Sequence, residues 1–319
     1  MVSESVLEVH GLTKVFRVPR RRAEPFVAVR DVSFTLGHGE VVALVGESGS
    51  GKTTIGRMLA GIETPTEGSI RLSEESAERS GRSLRQRVQM VFQDPYAALN
   101  PFNRISYTIS RPIINYHQMN NAAALERARE ILGTVQLIPA DEYLEKRPHQ
   151  LSGGQRQRVV IARALAASPE IVIADEPVSM LDVSIRADVL RLLRDLLDQK
   201  KVSAMLYITH DLLSARLLAQ RIMVLYRGNV VEIGETETLL TNPLHPYTKL
   251  LWSAIPNPRR AAEGKAMVIP TAGTGDIPKH GCPFAPRCPL ADERCQVEMP
   301  PLEERTNQHA VACHMVEGV

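Results

Sequence analysis

Val41-Val42-Ala43-Leu44-Val45-Gly46-Glu47-Ser48-Gly49-Ser50-Gly51-Lys52-Thr53 joins an apolar run of strand length to a glycine-rich loop ending in lysine and threonine. The helix-forming stretch Thr54 to Ala60 follows, so strand, loop and helix come in the order a phosphate-cradling loop requires. The glycines let successive backbone N–H groups converge on the β- and γ-phosphates of a nucleotide, and the emerging helix adds its positive N-terminal end. Gly46, Ser48, Gly49, Ser50, Gly51 and Thr54 are then phosphate neighbours, Lys52 reaches the outer phosphates, and the Thr53 hydroxyl holds magnesium.

A hydrolytic half-site is expected at Glu170-Ile171-Val172-Ile173-Ala174-Asp175-Glu176. A buried parallel strand is continuously apolar, and open α/β sheets place their ligand chemistry at its C-terminal end. Asp175 orients the magnesium shell, and Glu176, one residue further into the cleft, polarises a water for in-line attack on the γ-phosphorus. His210 ends another apolar run, Ala204 to Thr209, which converges on the same sheet edge. Leu151-Ser152-Gly153-Gly154-Gln155 is a second glycine-rich helix start. In a chain that already binds phosphate through one loop, its amides need a phosphate held by another subunit.

The surrounding sequence reads as α/β. From Val6 to about Gly234, short β-branched runs alternate with amphipathic segments of helix length, as in a mostly parallel sheet covered by helices. Strands are expected at Val6 to Val9, Val32 to Leu36, Val41 to Val45, Val88 to Phe92, Ile171 to Ala174, Ala204 to Ile208 and Ile222 to Leu225. Between Asp94 and Ser168 strand signals stop; Ala122 to Gln136 carries helical spacing through Leu125, Ala128, Ile131, Leu132 and Val135, which marks a helical insert. After Gly234 come many prolines, among them Pro243, Pro246, Pro256, Pro258, Pro270, Pro278, Pro283, Pro286 and Pro289, and all four cysteines, so a separate, loop-rich appendage is expected.

With 319 residues, 44% hydrophobic, the chain can bury one large core or two modest ones. Its 38 basic and 36 acidic side chains nearly cancel, which points to no dedicated nucleic-acid partner. No apolar run spans a bilayer and the start carries no basic-then-apolar signal, so a soluble, cytoplasmic chain is expected. Arg20-Arg21-Arg22 reads as a solvated loop, with lipid headgroups as the alternative contact.

In their order, the phosphate loop, the Leu-Ser-Gly-Gly-Gln pentapeptide, the strand ending in Asp175-Glu176, the Ser179-Met180-Leu181-Asp182 turn and Thr209-His210-Asp211 resemble ABC-type ATPases from residue 6 to about 235. The resemblance implies a P-loop NTPase core of the ABC cassette type over residues 1–235, with an antiparallel β N-terminal part and a helical subdomain at about 94–168. It implies ATP and Mg2+ as ligands and head-to-tail pairing with a second cassette, identical or homologous. In that pairing Ser152, Gly153 and Gly154 of one copy, followed by Gln155, close over the γ-phosphate held by Lys52 of the other. By the same resemblance Gln93 links γ-phosphate and magnesium to the helical insert, Phe16 stacks on adenine, Asp182 touches the partner cassette, and His210 senses the γ-phosphate.

Asn242-Pro243-Leu244-His245-Pro246-Tyr247-Thr248 and the stretch from Cys282 to Ala291 resemble the C-terminal region of oligopeptide and dipeptide importer ATPases, here residues 236–319. The resemblance implies two transmembrane permease subunits, an extracytoplasmic substrate-binding protein, and a peripheral position on the cytoplasmic side of the cell membrane. Tyr96 to Asn103 resembles the stretch that receives a permease helix. Peptides, nickel complexes, opines and oligosaccharides are all cargoes within the resembling family. Cys282, Cys288, Cys295 and Cys313, separated by five, six and seventeen residues, lack the tight pairs of zinc ribbons. The resemblance associates such a set with a 4Fe–4S cluster, while His280, His309 and His314 keep zinc open as the alternative. A soluble ABC ATPase working on nucleic acid or ribosomes, and a metal-sensing regulatory module, are the competing readings.

Overall fold

Strands buried on both faces come from continuous apolar runs, and four of these, with an edge strand that carries the half-buried Gln89, form the centre of the molecule. In the computed structural model, which describes residues 5–17, 25–73, 83–253, 278, 280–306 and 308–316, they are β3 (Glu40–Val45), β5 (Val88–Val91), β6 (Ile171–Asp175), β7 (Ala204–Thr209) and β8 (Arg221–Tyr226). They run parallel in the order β8-β3-β7-β6-β5. Arg20-Arg21-Arg22, Pro256, Pro258 and Pro270 lie outside the described residues.

The two-residue period of the strands divides the interior into two cores. Val41, Ala43 and Val45 of β3 join Val172, Ala174, Met205 and Tyr207 in a core shared with the helical region. Val42 and Leu44 join Ile171, Ile173, Leu206 and Ile208 in the other, which also takes Ile55, Met58 and Leu59 of the helix Lys52–Leu59. That second core is closed by an antiparallel sheet of β1 (Ser5–Phe16), β2 (Phe26–Gly37) and β4 (Glu67–Leu72), in the order β2-β1-β4.

Between β5 and β6 stand the helices Pro95–Ala98, Ile105–His117, Asn121–Thr134, Ala140–Glu145 and Gly153–Leu165. The expected helix Ala122 to Gln136 is Asn121–Thr134, started by the Asn120 side chain, which accepts from the Ala123 N–H at 2.9 Å. Ala124 takes the fully buried place expected for Leu125, which is only partly buried. Among the described residues no helix is long and apolar enough to cross a membrane.

The region after Gly234 differs from its expected separateness. β9 (Asn229–Glu235) turns back from β8 through Arg227 and Gly228, both at positive φ (46° and 79°), the geometry of a tight hairpin turn. Strands β10 (Glu303–Thr306) and β11 (His309–Val311) then extend the same sheet, with Ala310 opposite Ile233 and Val311 opposite Glu232. Neither β9 nor its pairing was legible, because Glu232 breaks the apolar alternation. Its carboxylate is fully buried, and accepts from the Leu244 N–H at 2.8 Å and the His245 N–H at 2.9 Å, with His309 Nε2 at 2.7 Å.

Candidate functional site

Four consecutive parallel strands, β3, β7, β6 and β5, deliver the site from their C-terminal ends. The phosphate loop leaves β3, and two of its glycines are required by close approach. A Cβ on Gly46 would lie 2.1 Å from the Leu225 carbonyl oxygen, and one on Gly51, at φ 105°, would lie 2.4 Å from the Ala28 oxygen. Lys52 is buried and its ammonium donates to the Gly46 and Glu47 carbonyls at 2.7 and 2.9 Å. Burial lowers its pKa, against the opposing pull of Glu176, Asp175 and Glu47. Ser50 Oγ is buried in the loop without a hydrogen-bond partner.

Asp175, at the end of β6, is 3% exposed and accepts from the Thr53 hydroxyl at 3.3 Å. Burial pushes its pKa up to about 6, against the lowering hydrogen bond from Thr53. A buried carboxylate so poised beside a hydroxyl is stabilised by a cation, so the pair fits the magnesium expected there. Glu176 adopts φ 44° and is fixed by its own backbone: its N–H donates to Ile208 oxygen at 2.9 Å, and its oxygen accepts from the Ser179 hydroxyl at 3.0 Å. Gln93, two residues past β5, donates its Nε2 to Glu176 Oε2 at 2.9 Å, and His210 Nδ1, just past β7, lies 3.2 Å from Glu176 Oε1.

These groups surround one cleft of about 600 Å³, lined by Phe16, Phe26, Ala28, Ser48, Gly49, Gly51, Lys52, Thr53, Thr54, Gln93, Glu176 and His210. Phe26 was missed by the sequence reading. It stands opposite Phe16 in the β1–β2 ladder, and both rings are substantially exposed, at 57% and 38%.

The pentapeptide is not part of this cleft. Ser152 caps the helix Gly153–Leu165 in a reciprocal box, the Ser152 hydroxyl accepting from the Gln155 N–H at 3.3 Å and the Gln155 side chain accepting from the Ser152 N–H at 2.9 Å. Gly154 packs closely, since a Cβ there would lie 2.7 Å from Ile185 Cγ2, whereas Gly153 has ordinary space, 3.6 Å from Leu181 Cδ2. Ser152 is exposed, as are Asp182 and Val183 at the start of the helix Val183–Asp198.

The C-terminal region reaches the phosphate loop directly, a contact with no sequence signal. The Tyr247 hydroxyl accepts from the Glu47 N–H at 2.8 Å, and Arg287 grips the Glu47 carboxylate with both terminal nitrogens at 3.0 and 3.1 Å. Tyr247, Tyr226, Phe284 and His245 form one aromatic cluster beneath. Burial lowers the His245 pKa to about 4, so the ring is neutral at pH 7.

Cys282, Cys295 and Cys313 are buried, Cys288 is half-buried, and none forms a disulfide. Burial raises the pKa of each thiol, that of Cys282 to about 11, and neighbouring thiols add to the shift at Cys282, Cys288 and Cys295. Among the described residues no group of three or more His, Cys, Asp or Glu side chains is arranged to hold a metal ion, so the four thiols as placed do not fit the expected cluster. His309 Nε2 bonds Glu232 and His314 Nε2 the Glu298 carbonyl at 3.1 Å, and among the described residues neither ring joins the thiols in a metal-holding group.

Residues 29–179 match the ABC transporter family, and residues 231–295 match the oligopeptide/dipeptide transporter C-terminal region. The oligopeptide transport ATP-binding protein AppF of Bacillus subtilis is 39% identical, over 98% of each chain. The "Probable peptide ABC transporter ATP-binding protein y4tS" of Sinorhizobium fredii is 41% identical over 98% of this chain and 91% of that one. Among solved structures, the dimeric ATP-binding cassette MJ0796 bound to ADP and Pi is 29% identical with a TM-score of 0.61, covering 72% of this chain and 98% of that one. Strand-end chemistry, phosphate loop and helical insert thus agree with the sequence relationships, and the chain belongs to the ABC transporter ATP-binding family, in its oligopeptide/dipeptide branch.

Proposed function

We propose that this chain is the ATP-hydrolysing subunit of a membrane importer for short peptides, and that Glu176 is the general base. The observation that carries it is the convergence of Gln93 and His210 on the Glu176 carboxylate, at the mouth of the cleft that also holds Lys52. A carboxylate held from both sides is aimed without being buried, which suits it to take a proton from an attacking water. Lys52 would exchange its loop carbonyls for the outer phosphates, Phe16 would offer its ring to adenine, and Thr53, Asp175 and Gln93 would hold magnesium. Magnesium held there would neutralise charge on the phosphate oxygens.

The pentapeptide's separation from the chain's own cleft supports pairing with a second cassette, identical or homologous. Ser152, Gly153, Gly154 and Gln155 of one copy then complete the site of the other. A groove of about 770 Å³, with the exposed rings of Tyr96, Phe102 and Tyr107, supports docking of a permease helix. Two permease subunits would hold the cassettes peripherally at the cytoplasmic face, with an external substrate-binding protein presenting the cargo and no role for nucleic acid. Reconstitution with the permease subunits in vesicles tests this: ATP-dependent uptake of a labelled oligopeptide is expected, and ATP turnover without uptake of any peptide would sink it.

A 4Fe–4S cluster on Cys282, Cys288, Cys295 and Cys313 is a separate proposal that rests on the resemblance alone, and it requires the thiols to move from their present placement. Iron and sulfide analysis of anaerobically purified protein tests it, and stoichiometric zinc or no metal overturns it.

A further inference from the structure

We propose that Arg287 and Tyr247 are positioning residues for nucleotide binding: by gripping Glu47 from the C-terminal region they hold the phosphate loop in its receptive shape and mask a carboxylate that would repel phosphate. The proposal rests on the reading of the cleft as an ATP site.

Glu47 is the node of the loop. Its carbonyl accepts from the Lys52 ammonium at 2.9 Å and the Ser50 N–H at 3.2 Å, its N–H is bound by Tyr247, and its carboxylate is bound by Arg287. The Tyr247 bond turns one loop amide away from the cleft and so fixes which of the remaining amides face it. The carboxylate is 43% exposed and acts electrostatically on Lys52, so it lies within reach of the charge that must accept a polyanion. An uncompensated negative charge in that loop opposes binding of a triphosphate.

Both gripping groups come from a rigid base. Tyr247 is fully buried, its ring 4.6 Å from that of Tyr226 and 5.5 Å from that of Phe284. The Arg287 guanidinium lies 5.8 Å from the Tyr226 ring centre and 5.7 Å from that of Phe284, with its Nη1 3.4 Å from the Tyr226 hydroxyl. A two-pronged guanidinium grip, pre-set by ring contacts, is the strong form of the charged hydrogen bond and loses little freedom when made. The turn between β8 and β9 adds a third hold, since the Gly228 N–H donates to the Ser50 oxygen at 2.8 Å. Arg287 immediately precedes Cys288, so this hold belongs to the segment that carries the cysteines.

The test is steady-state ATP hydrolysis and MgATP binding by the full-length chain, with thermal midpoints measured in parallel. Arg287→Gln should raise KM about 5- to 30-fold with kcat within about twofold, the pattern of lost ground-state binding. Adding Glu47→Gln to that variant should restore KM to within about threefold of the native chain, because the repelling charge is gone. A merely structural role for Arg287 would not be rescued in this way. Tyr247→Phe, which removes one oxygen, should raise KM about 3- to 10-fold. Should Arg287→Gln not fold, Arg287→Lys, which keeps the charge and loses the fork, serves with Tyr247→Phe. KM within about twofold of native in the folded variants, or a double variant no better than Arg287→Gln alone, overturns the proposal. Lys52→Ala stands apart: unchanged MgATP binding there would refute the nucleotide site itself, whatever Arg287 does.

Discussion

Nδ1 of His210 stands 3.2 Å from Oε1 of Glu176, across the ends of two adjacent parallel strands whose register pairs Asp175 with Ile208. The contact is made by backbone placement, since Glu176 is locked to the Ile208 carbonyl through its own N–H. Glu176→Gln keeps that placement and removes the base. Hydrolysis should fall by about 10²- to 10⁴-fold while MgATP binding persists and an ATP-dependent dimer accumulates. Phosphate release and sedimentation measure both, and native turnover in this variant would remove Glu176 from the role.

Asp175 ties the site to pH. Its folded pKa of about 6 lies above the ordinary carboxylate value of 3.8, so the folded chain holds a proton that the unfolded chain has released. Without nucleotide or magnesium, stability should therefore fall as pH rises from about 4 to about 6 and then level, by roughly 3 kcal/mol from this group. Asp175→Asn should abolish that slope and leave the ligand-free protein more stable at pH 7, while weakening magnesium-dependent nucleotide binding. Urea unfolding from pH 4 to pH 8 reads the difference between the two proteins, and parallel curves would reject the assignment.

Gly154→Ala should destabilise the chain by about 1–3 kcal/mol, since its methyl group would lie 2.7 Å from Ile185 Cγ2. Gly153→Ala meets only Leu181 Cδ2 at 3.6 Å and should leave the thermal midpoint nearly unchanged. Combining Gly154→Ala with Ile185→Ala removes the clash, so the double variant should lose less than the two singles added together. Simple additivity would place the requirement for Gly154 elsewhere.

Glu232→Ala should cost about 3–5 kcal/mol, because it strips the acceptor from the buried His245 N–H, the part-buried Leu244 N–H and His309. Denaturant unfolding measures the loss. Limited proteolysis should cut this variant first after Glu235, within the region that Glu232 anchors, and a native cleavage pattern would contradict the anchoring role.

The sheet and its chemistry were legible because each is written locally. Val41–Val45, Ile171–Asp175 and Ala204–Thr209 are buried on both faces, so their apolar runs have no polar interruption and end where the chemistry begins. What escaped was written across distance. Phe26 matters because it faces Phe16 across a ladder, and Glu47 matters because residues 200 and 240 positions later hold it. Strand β9 hid behind Glu232, a charge that reads as surface until its three donors are known.

The pairing of β11 with β9 also sets a timetable for synthesis. Glu232 and His309 lie 77 positions apart, so at about 5–20 residues per second β9 waits roughly 4 to 15 s on the ribosome before its neighbour emerges. During that interval a nearly finished cassette presents the open edge of its main sheet at β9, while the Leu244 and His245 N–H groups, 12 and 13 positions on, can already hold the Glu232 carboxylate. The charge that obscured β9 in the sequence is thus fixed early, and the edge itself stays open until the C-terminal hairpin arrives.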